Sequence, residues 1–398
     1  MRYYFLLFII LLRGTICFAD LQVRVKSAVE YYISHHFLNA TFVFANGQKN
    51  LMVGARGVFS LYGENLRPDQ EMPIASATKP ITAAAILRLQ DQGLLKVHDT
   101  IDKYLHKEDW PNGALPSWAR RVTIHNLLTH SSGIAEYSSN VKLSLYMTRA
   151  EINQAIMKYI VSKPLAITTG TRYKYSNSNF ILLGMIIEKV SKKDLATFLQ
   201  EEFFIPLDMR ETHLASLQEA RLVEENLYTA NYPLRFFVDS VAKKPIFTQV
   251  GAGFVLVPCA DKGIISSSYD LIKWYKALHG GKVLTDKSYK LMTTKYFSIN
   301  PNSKKPYKTY TGYGIFIEEL DNKNVMIGHS GGNRSGAFGV RSEAGYIPSK
   351  DFYFAILSNV SINIPDPEQD KKAEEYKENK LDIVYFRNAI VSSVIEDK

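Results

Sequence analysis

Two short stretches of the sequence place a possible nucleophile beside groups that move protons. In Ser76-Ala77-Thr78-Lys79 the hydroxyl and the amine are three residues apart where an apolar helical pattern begins, so they share one face of the first turn. A serine hydroxyl is a poor nucleophile at neutral pH, and a lysine desolvated enough to lose its proton can act as its base. Pro80 suits a first helical turn yet disfavours helical geometry at Lys79, so the local rules conflict at this point. The plainer alternative is a capping serine followed by a solvated lysine. Tyr175-Ser176-Asn177 stands at a loop-to-helix junction, where a phenol can carry a proton to a leaving group and a carboxamide can bond a substrate backbone. A packed tyrosine and an Asn helix cap account for the same residues if they are taken alone.

A third stretch, Gly328-His329-Ser330-Gly331-Gly332, ends a strand-like run and can lay main-chain donors beside an extended substrate. It also reads as G-x-S-x-G, the elbow in which Ser330 would be the nucleophile and an acid and a histidine would follow. His329 is the last of nine histidines and the residues after Gly332 have strand character, so that reading has no histidine to complete it. His125 and His130 are five apart on a short helix without a nearby third ligand, and are read as structural. There is no phosphate-binding loop or dinucleotide fingerprint. The expectation is therefore no cofactor and no metal.

These residues need a frame. Leu21 to Ile33 has helical apolar spacing, and Thr41–Ala45 and Leu51–Ala55 read as strands joined by an Asn46-Gly47 hairpin. Ser76 to Gly93 reads as a buried helix with a glycine stop. Strand patterns become scarce over about 101–239, where helices are expected at Thr123 to His130 and Asn179 to Val190. Strands resume at Asn324–Gly328, Phe338–Glu343 and Phe352–Ser358, and a helix with Ile383, Phe386, Ile390 and Val394 on one face can cover them. The pattern predicts a mainly antiparallel β-sheet flanked by helices, an α/β (α+β) fold with an inserted all-helical subdomain.

The first residues have the layout of a leader: Met1-Arg2, ten apolar or aromatic residues from Tyr3 to Leu12, then Phe18-Ala19. Such a run is too short for a bilayer, which needs about 20 residues. A signal peptide at 1–19 and a hydrolase domain at 20–398 are expected, with an exported, periplasmic or secreted product and no transmembrane segment in the mature chain. Losing Arg2 and Arg13 lowers the formal charge of +9 by two and still leaves a basic protein, suited to anionic envelope polymers or headgroups. No arginine-rich arm or zinc-finger spacing points to nucleic acid. Cys259 would be the single cysteine after cleavage and, with no histidine nearby in sequence, reads as a packed bystander.

Taken together, Ser76-Ala77-Thr78-Lys79, Tyr175-Ser176-Asn177 and His329-Ser330-Gly331, with Leu127-Leu128-Thr129-His130-Ser131-Ser132-Gly133 in support, resemble the serine β-lactamase and penicillin-binding-protein superfamily. The likeness is to the group of class C β-lactamases, D-alanyl-D-alanine carboxypeptidases and esterases, and it spans roughly Thr41 to Asn359. It implies a site between an α/β and a helical region, with Ser76 acylated and with Lys79 and Tyr175 handling protons, the choice of base left open. It further implies an oxyanion hole from the amides of Ser76 and Gly332, and an Asn177 that orients the acyl side chain. His329 departs from the Lys-Thr-Gly usual in class C enzymes, which points away from efficient β-lactam turnover and towards peptidases and esterases. As a cation it would anchor a substrate carboxylate with a charge that fades near pH 6.5, Arg334 or Lys174 being the alternatives for that task; as a neutral ring it would only hydrogen-bond within the strand or support Tyr175. The resemblance implies a small peptide, ester or β-lactam substrate, peptidoglycan-derived ones included, and leaves the oligomeric state open.

Overall fold

A computed structural model describes residues 20–59, 64–144, 146–219, 234–238, 245–249, 259–304, 307–332, 340–362 and 383–396. The expected leader lies outside them. Helix α1 (20–35) is followed by β1 (Ala40–Asn46) and β2 (Lys49–Arg56), joined at Gly47, whose φ of 53° meets the left-handed requirement of a tight hairpin. The short β3 (Met72–Pro73) leads through a 3₁₀ turn at Ala75–Thr78 into α2 (Lys79–Asp91). Helices α3 (Ile124–Leu128), α4 (Arg149–Val161), α5 (Ser178–Ser191) and α6 (Leu195–Leu199) follow, then β4 (His213–Leu214). Two strands, β5 (Leu234–Val238) and β6 (Pro245–Gln249), precede β7 (Ile264–Ser266), α7 (Ser268–His279) and α8 (Asp286–Met292). The chain closes with β8 (Phe297–Ser298), β9 (Thr309–Thr311), β10 (Phe316–Glu319), β11 (Val325–Gly332), β12 (Arg341–Ile347), β13 (Phe352–Ser358), β14 (Val360–Ile362) and α9 (Ile383–Ile395).

The principal sheet has eight strands in the order β2-β1-β13-β12-β11-β10-β9-β8, all antiparallel neighbours. Register sorts its side chains into two layers because strand residues alternate between faces. Across the sheet His329 faces Ala344, Ala344 faces Ala355 and Ala355 faces Val43, while Ser330, Glu343, Ile356 and Phe42 form the adjacent row. Phe42 and Ile356 pack with α1 and α9, where the fully buried Phe386 meets Phe42 edge-on at 5.3 Å and Phe44 at 5.8 Å. Emptying such an aromatic position costs about 3–5 kcal/mol. Val43, Ala344 and Ala355 face the main core with α2, α5 and α7.

Helix α2 is buried nearly all round, from Lys79 through Leu89, which marks a central core helix rather than a surface one. Helix α5 packs against it, and Gly184 lets α5 come close to the segment after Cys259: a Cβ there would stand 2.7 Å from that of Ala260. These contacts set the position of the α2 N-terminus, where Ser76 and Lys79 lie.

The structure moves several expected boundaries. The helix begins at Lys79, not Ser76, because Pro80 occupies its first turn and the preceding residues tighten into a 3₁₀ turn. Lys79 is nevertheless right-handed helical, with φ −61° and ψ −40°, so burial overrides the usual bias before proline. The strand expected to end at Gly328 runs on to Gly332, since pairing with β12 continues through the glycines as far as Arg341. Of the strand expected at Phe338–Glu343, residues 338 and 339 lie outside the described residues, and β12 runs from Arg341 on past Glu343 to Ile347. Residues 101–212 carry helices and turns where described, whereas β5 is a strand inside the stretch expected to be helical. Among the described residues no helix is long and apolar enough to cross a membrane.

Candidate active site

The 3₁₀ turn holds Ser76 at the top of α2, and the residue before it, Ala75, has a φ of 47°. A left-handed non-glycine residue stores strain and persists where surrounding structure imposes it. Here β11 provides the constraint: a Cβ on Gly331 would lie 2.1 Å from the Ile74 carbonyl oxygen, and Ser342 Oγ donates to that same oxygen at 2.7 Å. Gly331 is thus required for β11 to touch the turn that carries Ser76. Gly332, at φ 98°, ends the same strand.

Lys79 is fully buried, and its ammonium donates three hydrogen bonds: to Ser76 Oγ at 3.0 Å, Asn177 Oδ1 at 2.8 Å and the Asp261 carbonyl at 2.7 Å. Burial lowers its pKa from 10.5 to about 8, opposed by the negative charges of Asp261 and then Glu136. Proton loss is therefore easier than in water by about 3 kcal/mol, at 1.4 kcal/mol per pKa unit. As a neutral amine Lys79 keeps two donors for Asn177 and Asp261 and turns its lone pair to the serine proton.

Tyr175 closes the other side. Its hydroxyl lies 3.0 Å from Ser76 Oγ and donates to Asn177 Oδ1 at 3.4 Å. Burial raises its pKa above the ordinary phenol range, so the ring is a neutral phenol at physiological pH. His130 forms its floor, stacked at 4.4 Å between ring centroids. The His130 Nδ1 accepts from the Ser176 amide and Asn179 Nδ2, both at 3.2 Å, and burial holds this imidazole well below its usual pKa. His125 bonds the Tyr313 hydroxyl at 2.8 Å, and burial takes it down to about 4. Among the described residues no three His, Cys, Asp or Glu side chains converge to hold a metal. Cys259 is buried with its thiol pushed up to about 12, which leaves it inert as a nucleophile.

The third sequence element divides between the two layers of the sheet. His329 faces the core that holds Lys79, stacked on Phe316 at 4.4 Å, with Nδ1 2.6 Å from the Ser330 carbonyl oxygen. Burial, and next the Lys79 charge, push its imidazole down to about 3. Of the two expected roles this favours the neutral ring over the fading imidazolium, because a desolvated ring beside an ammonium stays neutral across physiological pH. Ser330 belongs to the opposite row, across from Glu343, away from the layer of His329 and Gly331. That placement also disposes of the elbow reading. Lys174 is exposed, and Arg334 lies outside the described residues.

Two acidic residues escaped the sequence reading. Glu136 accepts hydrogen bonds from the Asn177 amide at 2.5 Å, from Asn177 Nδ2 at 3.2 Å and from the Ser138 amide at 2.6 Å. With Nδ2 also 3.3 Å from Ser138 Oγ, both N–H bonds of the Asn177 carboxamide are engaged, so it has no free donor for an acyl side chain. Asp261 is completely buried behind Lys79, accepts from Tyr137 Oη at 3.0 Å and stands 3.8 Å from Lys262 Nζ. Only the run Leu127 to Gly133, which ends beside Glu136, hinted that this region mattered.

The Beta-lactamase family profile matches residues 27–377, and the chain belongs to that family, a family of serine hydrolases. Penicillin-binding protein 4* of Bacillus subtilis is 24% identical over 303 residues, covering 75% of this chain and 63% of the relative. The D-alanyl-D-alanine-carboxypeptidase/endopeptidase AmpH of Escherichia coli is 29% identical over 197 residues, 46% of this chain and 48% of that protein. Esterase EstB of Burkholderia gladioli is 30% identical over 171 residues, 40% and 42% of the two chains. The matched stretch thus spans about half to two thirds of the first two relatives' length. Among solved structures, D-amino acid amidase from Ochrobactrum anthropi SV3 superposes with a TM-score of 0.69 at 17% identity, covering 95% of this chain and all of the other. That likeness shows the fold.

Proposed function

We propose that the protein hydrolyses small amide and peptide substrates of D-amino acids through an acyl-enzyme on Ser76. The observation that carries this reading is the hydrogen-bonded constellation in which Ser76 Oγ meets Lys79 Nζ and Tyr175 Oη, each at 3.0 Å. Lys79, lowered to about 8, is the group best suited to take the serine proton as Oγ attacks the carbonyl carbon. Tyr175, a neutral phenol 3.0 Å from Ser76 Oγ, can relay to the departing amine the proton that Lys79 took up, receiving one proton as it gives another. A water then attacks the ester carbonyl, its proton passes through the same groups to Ser76 Oγ, and the acid is released. The main-chain amides of Ser76 and Gly332 are assigned to the developing oxyanion, where each such donor is worth about 3 kcal/mol.

The relatives named as carboxypeptidase and penicillin-binding protein, and the amidase of like fold, support D-amino-acid substrates. The neutral His329 gives a substrate carboxylate no cation on that strand, which favours amide and peptide substrates over those read by a C-terminal carboxylate. Ester hydrolysis is a second reading, favoured by the esterase relative. The leader-like residues 1–19 support work outside the cytoplasmic membrane. A panel of D-alanyl peptides, D-amino acid amides, simple esters and a chromogenic cephalosporin tests the assignment. D-configured amides should lead the panel, and a cephalosporin turned over fastest would refute it.

A further inference from the structure

The peptide that joins Gly331 to Gly332 is held by charge on the side away from the substrate. One end of it is the Gly332 N–H assigned to the oxyanion, the other is the Gly331 carbonyl, and in a trans peptide the two point in opposite directions. The carbonyl accepts from Arg341 Nη1 of the neighbouring strand β12 at 3.3 Å. That guanidinium is buried, and its side chain runs close against the peptide: a Cβ on Gly332 would stand 3.1 Å from Arg341 Cδ. A strand carbonyl is ordinarily met by a neutral amide, whereas a charged donor makes a stronger bond.

The groups that balance Arg341 decide how much of its charge the peptide feels. Glu343 on the same strand is buried and accepts from Arg341 Nη2 at 3.3 Å, but it also accepts from Arg387 Nη1 of α9 at 3.1 Å. Arg387 lies 3.6 Å from the partly exposed Glu318 on β10. One buried carboxylate is therefore shared by two guanidiniums, while the second carboxylate stands where solvent screens it. The four side chains line one cavity with Ser330, in the layer of the sheet that α9 covers.

We infer that Arg341 polarises the Gly331–Gly332 peptide and so strengthens the Gly332 N–H as an oxyanion donor, with Glu343 and Arg387 setting the strength. This rests on the acyl-transfer reading above and deepens it. Hydrogen bonds in a row polarise one another. Here the row runs from guanidinium to carbonyl and, across the same peptide, from N–H to the oxygen on which charge develops. The charge is in place before the reaction, so no reorganisation is needed as the tetrahedral intermediate forms. Arg341 is thus a positioning residue that meets no substrate and acts through the peptide, and α9 takes part in the chemistry through Arg387. Loss of a whole oxyanion donor costs about a hundredfold to a thousandfold in kcat, and weakening one should cost less, about tenfold.

The test reads the oxyanion hole itself. It follows the infrared stretch of the ester carbonyl, isotope-labelled, in the acyl-enzyme that cinnamoylimidazole forms on Ser76, together with kcat and KM for a p-nitrophenyl ester, in wild type, R341M, R387M and E343Q. Stronger donation lowers that frequency. R341M should raise it and reduce kcat about tenfold with KM little changed. R387M leaves Glu343 wholly to Arg341 and should raise the frequency by a smaller amount. E343Q removes the offsetting carboxylate and should lower it, although an uncompensated buried charge also lowers Tm. A network that only fastens α9 to the sheet would move all three variants in one direction or leave the carbonyl band in place, and either result overturns the inference. If R341M does not fold, the opposite signs of R387M and E343Q decide the matter by themselves. An acylated enzyme whose carbonyl ignores these substitutions sinks this inference alone, and a wild type that takes no acyl group on Ser76 sinks the acyl-transfer reading with it.

Discussion

Replacing Asp261 with Asn tests how the fold prepares Lys79. Burial pulls the ammonium down, Asp261 is the first of the two charges that hold it up, and the balance stands at about 8. Removing an opposing charge at close range typically shifts a pKa by about one unit or more, so Asp261→Asn should bring Lys79 to about 7 or below. The sign follows from lysine being the acid form: with its counter-charge gone, the proton leaves at lower pH. At pH 7 the neutral fraction then grows from about one tenth to about one half, so kcat/KM should rise about fivefold there. The plateau at high pH, where Lys79 is neutral in both proteins, should stay level. The Asn carbonyl can still accept from Tyr137 Oη, which bonds Asp261 at 3.0 Å, whereas Lys262 loses a counter-charge 3.8 Å away, so a lower Tm is expected. The assay is kcat/KM for an uncharged p-nitrophenyl ester from pH 5.5 to 10, with thermal melting to establish that the variant is folded. An acid limb that stays in place, or moves to higher pH, refutes the assignment of Lys79 as base.

Gly331→Ala should destabilise the protein and cost most of its activity, because the added Cβ would lie 2.1 Å from the Ile74 carbonyl and push the Ser76 turn off the sheet; a Tm lower by several degrees with kcat reduced more than KM is the expected result, and a wild-type kcat would contradict it. His329 should show no ionisation between pH 5 and 8 in the free enzyme, since burial pushes it down to about 3; imidazole NMR shifts that titrate near pH 6.5 would contradict the burial argument.

How much of this was legible beforehand depended on whether a feature was local. Ser76 and Lys79 share one turn, Tyr175 and Asn177 are two residues apart, and His329 to Gly332 lie along one strand, so each motif carried its own spacing. The sheet was readable for the same reason, because the apolar runs of β1 and β13 are buried along most of their length. Glu136 and Asp261 were not readable. They come 41 residues before Asn177 and 182 after Lys79, and only the packing of α2, α5 and the Ala260 segment brings them beside those residues. Which of the two roles His329 takes was not readable, because ionisation depends on burial against Phe316 and on the neighbouring ammonium, and neither shows in residue spacing. The start of α2 shifted because Pro80 and the Ile74 contact decide it jointly, one local and one across the fold.

The central claim is that Ser76 carries the acyl group, and intact-mass analysis of the protein after brief exposure to a fluorophosphonate and to a penicillin, followed by peptide mapping, tests it most directly. The account predicts a single stoichiometric adduct on the peptide containing Ser76, lost in a folded Ser76→Ala variant. An adduct on Ser330, or wild-type labelling of the Ser76→Ala protein, would contradict it.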